Sequence, residues 1–188
     1  MQSRLDSSSE KYLEDYRSIL SEMISGMCGA ELTESISHNF IVQMIPHHMA
    51  AIQMSENILR YTSNQRLEEI ANGIISEQTK SIENMREILR SCSNLTNSCC
   101  EVNAYQKNVC RITETMFEGM KQAYADNCIN CNFIREMIPH HMGAVRMSKN
   151  ALSFSICPGL IPILNAIIES QEKGICQMRA LGRELNCR

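Results

Sequence analysis

Apolar side chains recur every three or four residues along nearly the whole chain. Tyr12, Tyr16, Ile19, Leu20, Met23 and Met27 form one such stripe. A second joins Ile36, Phe40, Met44, His47, His48, Ala51, Met54 and Ile58, and a third runs from Leu67 through Ile74, Gln78 and Ile82 to Met85 and Ile88. This 3.6-residue period predicts three helices, the first between a capping box of Ser7 and Glu10 and a stop at Gly29, the others over about 33–61 and 64–91. The pattern then repeats, with Tyr105, Val109, Ile112, Met116 and Met120 opening the second set. No stretch alternates long enough to predict a strand, so the fold class is all-α with six helices.

Sliding the sequence by 93 residues superposes its halves without a gap. Between 12–90 and 105–183 there are about 32 identities in 79 positions, and MIPHHM at 44–49 falls on MIPHHM at 137–142. The chain therefore reads as a tandem duplication, with repeats at 1–93 and 94–188 packed as one pseudo-twofold bundle. The segment 91–103, rich in Ser, Asn and Cys, reads as the linker. Pro46 and Pro139 fall inside the second helix of each repeat, where a proline removes a backbone hydrogen bond and costs roughly 3 kcal/mol. Such a cost calls for an offset: either the bend frees backbone beside the two following histidines, or packing recovers the loss.

Composition narrows the function. Of 188 residues, 44% are hydrophobic but only 5% aromatic, and the net charge is −3. A chain with no basic excess is a poor candidate for binding nucleic acid. The longest apolar stretch, from Ile156 to Ile168, is broken by Pro158, Gly159 and Pro162 and falls short of the roughly 20 residues of a membrane helix. The first ten residues lack the apolar core of a signal peptide, which fits a cytoplasmic chain or the mature part of an exported one.

The unusual residues are 13 Met and 10 Cys. After Met1, every methionine is matched by one in the other half: 23/116, 27/120, 44/137, 49/142, 54/147 and 85/178. Leucine matches only at 59/152 and 67/160, although Leu, Ile and Met exchange cheaply in a core. Packing alone does not select for thioether. Thioether sulfur is a soft ligand for Cu(I) and, by the same softness, Ag(I), and imidazole also serves copper. The candidate ligands are thus Met23, Met27, Met44, His47, His48, Met49, Met54 and Met85, with Met116, Met120, Met137, His140, His141, Met142, Met147 and Met178 in the second repeat. Met49 and Met142 project toward the outer helix face, as a separate exposed pair. Gln78 and Gln171 interrupt the apolar stripes at matched positions, either supporting a histidine nitrogen or bonding water or backbone.

None of the ten cysteines is matched by a cysteine at this offset. Cys128 and Cys131 have the spacing of a thiolate clamp, and Cys131 stands opposite His38, one metal-capable side chain replacing another. His38, Cys128 and Cys131 therefore join the candidates. The remaining cysteines fit thiolate ligands, disulfides, free thiols or buried small side chains.

The run Met44-Ile45-Pro46-His47-His48-Met49, with Ala51, Met54, Gln78 and Met85 downstream and the same pattern in the second half, resembles the bacterial family called domain of unknown function 305. The matches cover about 40–95 and 133–188. The resemblance implies a ferritin-like helical bundle and, for some members, copper or silver binding in the cell envelope and metal tolerance. The family's motif positions fall on Met44, His47, His48, Met54, Gln78 and Met85, and on Met137, His140, His141, Met147, Gln171 and Met178.

Signatures of several enzyme classes are absent: no nucleophile elbow, phosphate-binding loop, dinucleotide fingerprint or Glu-x-x-His di-iron motif occurs. The sequence thus predicts a non-enzymatic Cu(I) binder, with Ag(I) as a second cargo, that sequesters or delivers metal through Met and His. Its partners are then metal ions, with a trafficking protein or a second copy of the chain as further candidates. The alternatives are a thiolate store for Cu(I) and a structural or coat-type helical protein without metal function.

Overall fold

In a computed structural model, which describes residues 4–187, the chain forms six helices with no strand among those residues. They are α1 (Ser7–Cys28), α2 (Ile36–Leu59), α3 (Gln65–Cys92), α4 (Cys99–Lys121), α5 (Ile129–Ala151) and α6 (Leu160–Glu184). Helices α2, α3, α6 and α5 close a four-helix ring in that order, while α1 packs on α2 and α4 on α5. The apolar stripes face one shared core that includes Tyr12, Phe40, Met44, Tyr105, Phe133 and Met137. No helix is long and apolar enough to cross a membrane.

Local chemistry explains where the helices start. Asp6, not Ser7, caps α1, its carboxylate accepting from the Ser9 amide at 2.8 Å. Ser35 and Asn64 cap α2 and α3 in the same way. At α4 a reciprocal capping box joins Ser98 and Glu101. This box starts α4 at Cys99 and shortens the connection expected over 91–103, because Cys92 still belongs to α3.

Several repeat-matched residues position the outer helices. Asn57 donates to the Tyr12 carbonyl at 3.1 Å and Asn150 to the Tyr105 carbonyl at 3.3 Å, tying α1 to α2 and α4 to α5. Asn39 and Asn132 bracket the preceding loops, each exchanging two hydrogen bonds with backbone six residues upstream. Asn97, in the connection, accepts from the Ile36 amide and donates to the Ser155 carbonyl, so it joins the start of α2 to the loop before α6. The prolines are accommodated by glycine on the facing helix. A Cβ on Gly26 would stand 2.9 Å from Pro46 Cβ, and one on Gly119 would stand 3.2 Å from Pro139 Cβ.

Two disulfides, Cys92–Cys157 and Cys131–Cys187, close loops of 65 and 56 residues. In the chain-entropy description, each stabilises by about 4 kcal/mol. Cys28, Cys99, Cys100, Cys110, Cys128 and Cys176 are free and exposed.

The proline contacts predict an asymmetric response to adding one methyl group. In a helix interior Gly→Ala gains about 1 kcal/mol of helix propensity. Overpacking against a rigid ring costs typically 1–3 kcal/mol. Gly26→Ala should therefore be net destabilising, and Gly119→Ala, with the longer approach, less so. Urea unfolding of the two variants measures the difference, and equal or reversed losses would contradict it.

Candidate metal centre

Each HH pair lies at the middle of its helix, directly after the proline, and the α2–α5 contact brings the two pairs together. The His47 and His140 rings stack with centroids 3.7 Å apart at 30°. His47 Nε2 lies 3.2 Å from the His140 carbonyl, and His140 Nε2 lies 3.0 Å from the His47 carbonyl. A carbonyl only accepts, so each Nε2 carries the proton and each Nδ1 is left with its lone pair. His48 and His141 flank this pair, each ring centroid 5.8 Å from its sequence neighbour. The backbone oxygens that the histidines use are those of the facing histidines themselves.

All four histidines are buried, and the Nδ1 of each has no hydrogen-bond partner. A buried polar atom left unpaired costs about 1–3 kcal/mol. Four of them together approach the 5–15 kcal/mol by which a domain is stable. Burial, then the neighbouring histidines, holds His47 and His141 well below the usual imidazole range. Burial also pushes His48 down to about 3 and His140 to about 4, the latter against a carbonyl hydrogen bond that favours its charged form. The rings are neutral near pH 7 and present bare lone pairs inside an apolar core.

Ten candidate methionines belong to that core: Met23, Met27, Met44, Met54 and Met85, with Met116, Met120, Met137, Met147 and Met178. Met49 is 45% exposed, in keeping with an outward position, while Met142 is half-buried in a surface cleft that also holds Cys176. Gly143, where the first half has Ala50, lets Met116 approach α5, since a Cβ there would stand 2.0 Å from its sulfur.

Three sequence candidates stand apart. Cys131 is bonded to Cys187, so the Cys128-x-x-Cys131 thiolate clamp is not formed, and Cys128 is left as an exposed thiol. His38 has both ring nitrogens engaged, Nδ1 with Ser93 Oγ at 2.9 Å and Nε2 with the Glu31 carbonyl at 3.1 Å, and it acts as a helix-end brace. Among the described residues, no three His, Cys, Asp or Glu side chains converge as a ready-made metal cage. Gln78 and Gln171 are buried, but neither bonds a histidine, and Gln78 Oε1 and both amide atoms of Gln171 lack partners.

Sequence reasoning missed Glu136. It is buried on α5, accepts a 2.6 Å hydrogen bond from Tyr12 and is pushed up to about 8 by burial, with Tyr12, Arg135 and Arg17 opposing. Its repeat partner is Gln43, and a position alternating between Glu and Gln within an apolar stripe was the available signal.

A family model, described as domain of unknown function 305, matches residues 37–182. The chain belongs to this family. Among solved structures it is similar to CopM in its Cu(I)-bound form, with 26% identity and a TM-score of 0.58, covering 82% of this chain and 99% of CopM. CopM in an Ag-bound form gives 26% identity and 0.58, covering 79% and 95%. A DUF305 fragment from Deinococcus radiodurans, with 21% identity and 0.57 over 79% and 96%, shares the fold. No curated protein matches the sequence.

The buried histidines set an acid limit on the metal-free protein. Their folded affinity for protons is depressed, so stability is full above about pH 6.5 and falls as the unfolded chain takes up protons that the folded chain refuses. At pH 5 the loss is about 2 kcal/mol per histidine still neutral in the fold. Glu136 has the opposite sign: its raised value favours the fold at low pH and loses that contribution as pH rises from about 4.5 through about 8. Thermal unfolding should thus show a steep loss between pH 6.5 and 5, which His48→Gln reduces, while Glu136→Gln stabilises most near pH 8. A flat profile from pH 7 to 5 would contradict the burial of neutral histidines.

Proposed function

We propose that this chain binds Cu(I), and Ag(I) as a second cargo, at the His–Met core, and that it sequesters or delivers the metal without catalysing a reaction. The observation that carries this reading is the set of four buried, neutral imidazoles whose Nδ1 atoms have no protein partner, inside a core holding ten methionines matched in pairs. Unpartnered buried atoms of this kind are costly unless a ligand uses them. Thioether and neutral imidazole together suit a soft monovalent ion. The likeness to CopM, solved with Cu(I), Cu(II) and Ag, supports the same chemistry.

The disulfides bear on both compartment and ligand. Four of ten cysteines are consumed by them, which removes the Cys128–Cys131 clamp and weakens the thiolate-store reading. Persistent disulfides belong to oxidising compartments, so we place the protein in the cell envelope or outside the cell.

An anaerobic Cu(I) titration against a competing chelator, with the exposed thiols first alkylated and the disulfides intact, tests the assignment. Binding should survive alkylation. Replacing His47 and His140 by Gln should weaken affinity by about tenfold or more, because two donors are lost together. Met44→Leu with Met54→Leu should lower stoichiometry by about as much as Met137→Leu with Met147→Leu. Loss of all binding on alkylation would favour the thiolate store, and no binding in either state would favour a structural role.

A further inference from the structure

The two outer histidines differ in what lies against their Nε2 atoms. His48 Nε2 is 3.1 Å from Ser81 Oγ. Ser81 corresponds at the 93-residue offset to Gly174, which has no side chain to offer His141 Nε2 the same contact. A Cβ on Gly174 would stand 3.0 Å from His141 Cδ2 and 3.1 Å from Nε2, so a side chain at residue 174 would press on this edge of the ring and glycine leaves it clear.

That edge forms part of a cleft of about 210 Å³ between α3 and α6, lined also by Gly73, Ile74, Glu77 and Lys173. Gly73 faces open space, with nothing within 4 Å of where its Cβ would be. The corresponding cleft beside His48 has Ala166 and Ser81 where this one has Gly73 and Gly174. Each glycine in a helix interior gives up about 1 kcal/mol relative to alanine. Two of them face the same opening, over a histidine that is only 2% exposed, with its Nδ1 directed into the core and unpartnered. Gly73 weakens α3 without gaining a contact, Gly174 leaves room for the His141 ring, and together they leave open a path from solvent to one imidazole.

We infer that His141 Nε2, at the floor of the α3–α6 cleft, is the port through which soft monovalent metal enters and leaves the core, and that Ser81 closes the matching route at His48. The inference rests on the proposed metal binding and adds that the two halves load unequally. An ion in the cleft meets Nε2 first, while the other nitrogen of the same ring is buried and unpartnered. The hydroxyl of Ser81 occupies the atom that would make the same first contact in the first half.

Two readouts test this on the full chain. Diethyl pyrocarbonate labelling of the metal-free protein, mapped by peptide mass, reads access without any metal. His141 should label about tenfold faster than His47, His48 and His140, the difference expected when a hydrogen bond and side-chain cover are absent. Ser81→Gly should bring His48 to the rate of His141. The second readout is transfer of Cu(I) from its coloured bathocuproine complex. Gly174→Ser should slow the transfer about fivefold or more with stoichiometry unchanged. Gly73→Leu, whose side chain enters open space rather than pressing on the ring, should do the same if Gly174→Ser disturbs the fold. Adding Ser81→Gly to Gly174→Ser should restore the rate. Equal labelling of His141 and His48, or unslowed transfer in both closing variants, overturns the port while leaving core binding intact. Absence of Cu(I) binding in every variant overturns the functional reading and the port with it.

Discussion

The structure turns on the contact between His47 and His140. Each ring stacks on the other and donates its Nε2 proton to the other's carbonyl. The same contact joins α2 to α5, fixes both tautomers and turns both Nδ1 lone pairs away from any protein donor. One arrangement thus bears on stability and, in the proposed function, on metal binding. The proton that would fill the Nδ1 position in an imidazolium is disfavoured by burial, and the carbonyl bonds hold the rings in place.

Features that look expensive in isolation follow from bringing two helix backbones this close at a proline. Gly26 and Gly119 leave room for Pro46 and Pro139 near the ends of α1 and α4, and Asn57 and Asn150 clamp the same outer helices near their starts. Those contacts are made once within each half, whereas the His47–His140 contact joins the halves. Differences between the halves carry separate information. Ser81 against Gly174 alters access to one histidine, Gln43 against Glu136 alters a buried charge, and His38 against Cys131 exchanges a hydrogen-bonded brace for a disulfide.

Much of the fold was readable from the chain. The 3.6-residue stripes located six helices within a few residues of their ends, since those stripes become the buried faces. The Asp6 cap was missed because Ser7 with Glu10 matched a capping pattern, although a carboxylate one residue earlier caps as well. The Ser98–Glu101 box was present in the sequence but was obscured by a composition typical of a linker. For the site, repeat matching singled out the HH pairs and the methionines. It did not show the carbonyl bonds, which join residues 93 apart, nor the pairing of Cys131 with Cys187, since disulfide connectivity depends on tertiary approach.

The central claim is that the Nδ1 atoms are bare in the metal-free protein because the cargo uses them. Long-range ¹H–¹⁵N correlation spectra of the histidine rings, recorded at neutral pH before and after adding Ag(I) to thiol-alkylated protein, report each ring nitrogen separately. The account predicts that His47 and His140 start in the Nε2-protonated tautomer with unprotonated Nδ1, and that Ag(I) shifts their Nδ1 resonances while Nε2 keeps its proton. Nδ1 resonances unmoved by bound Ag(I), or a starting tautomer protonated at Nδ1, would contradict it.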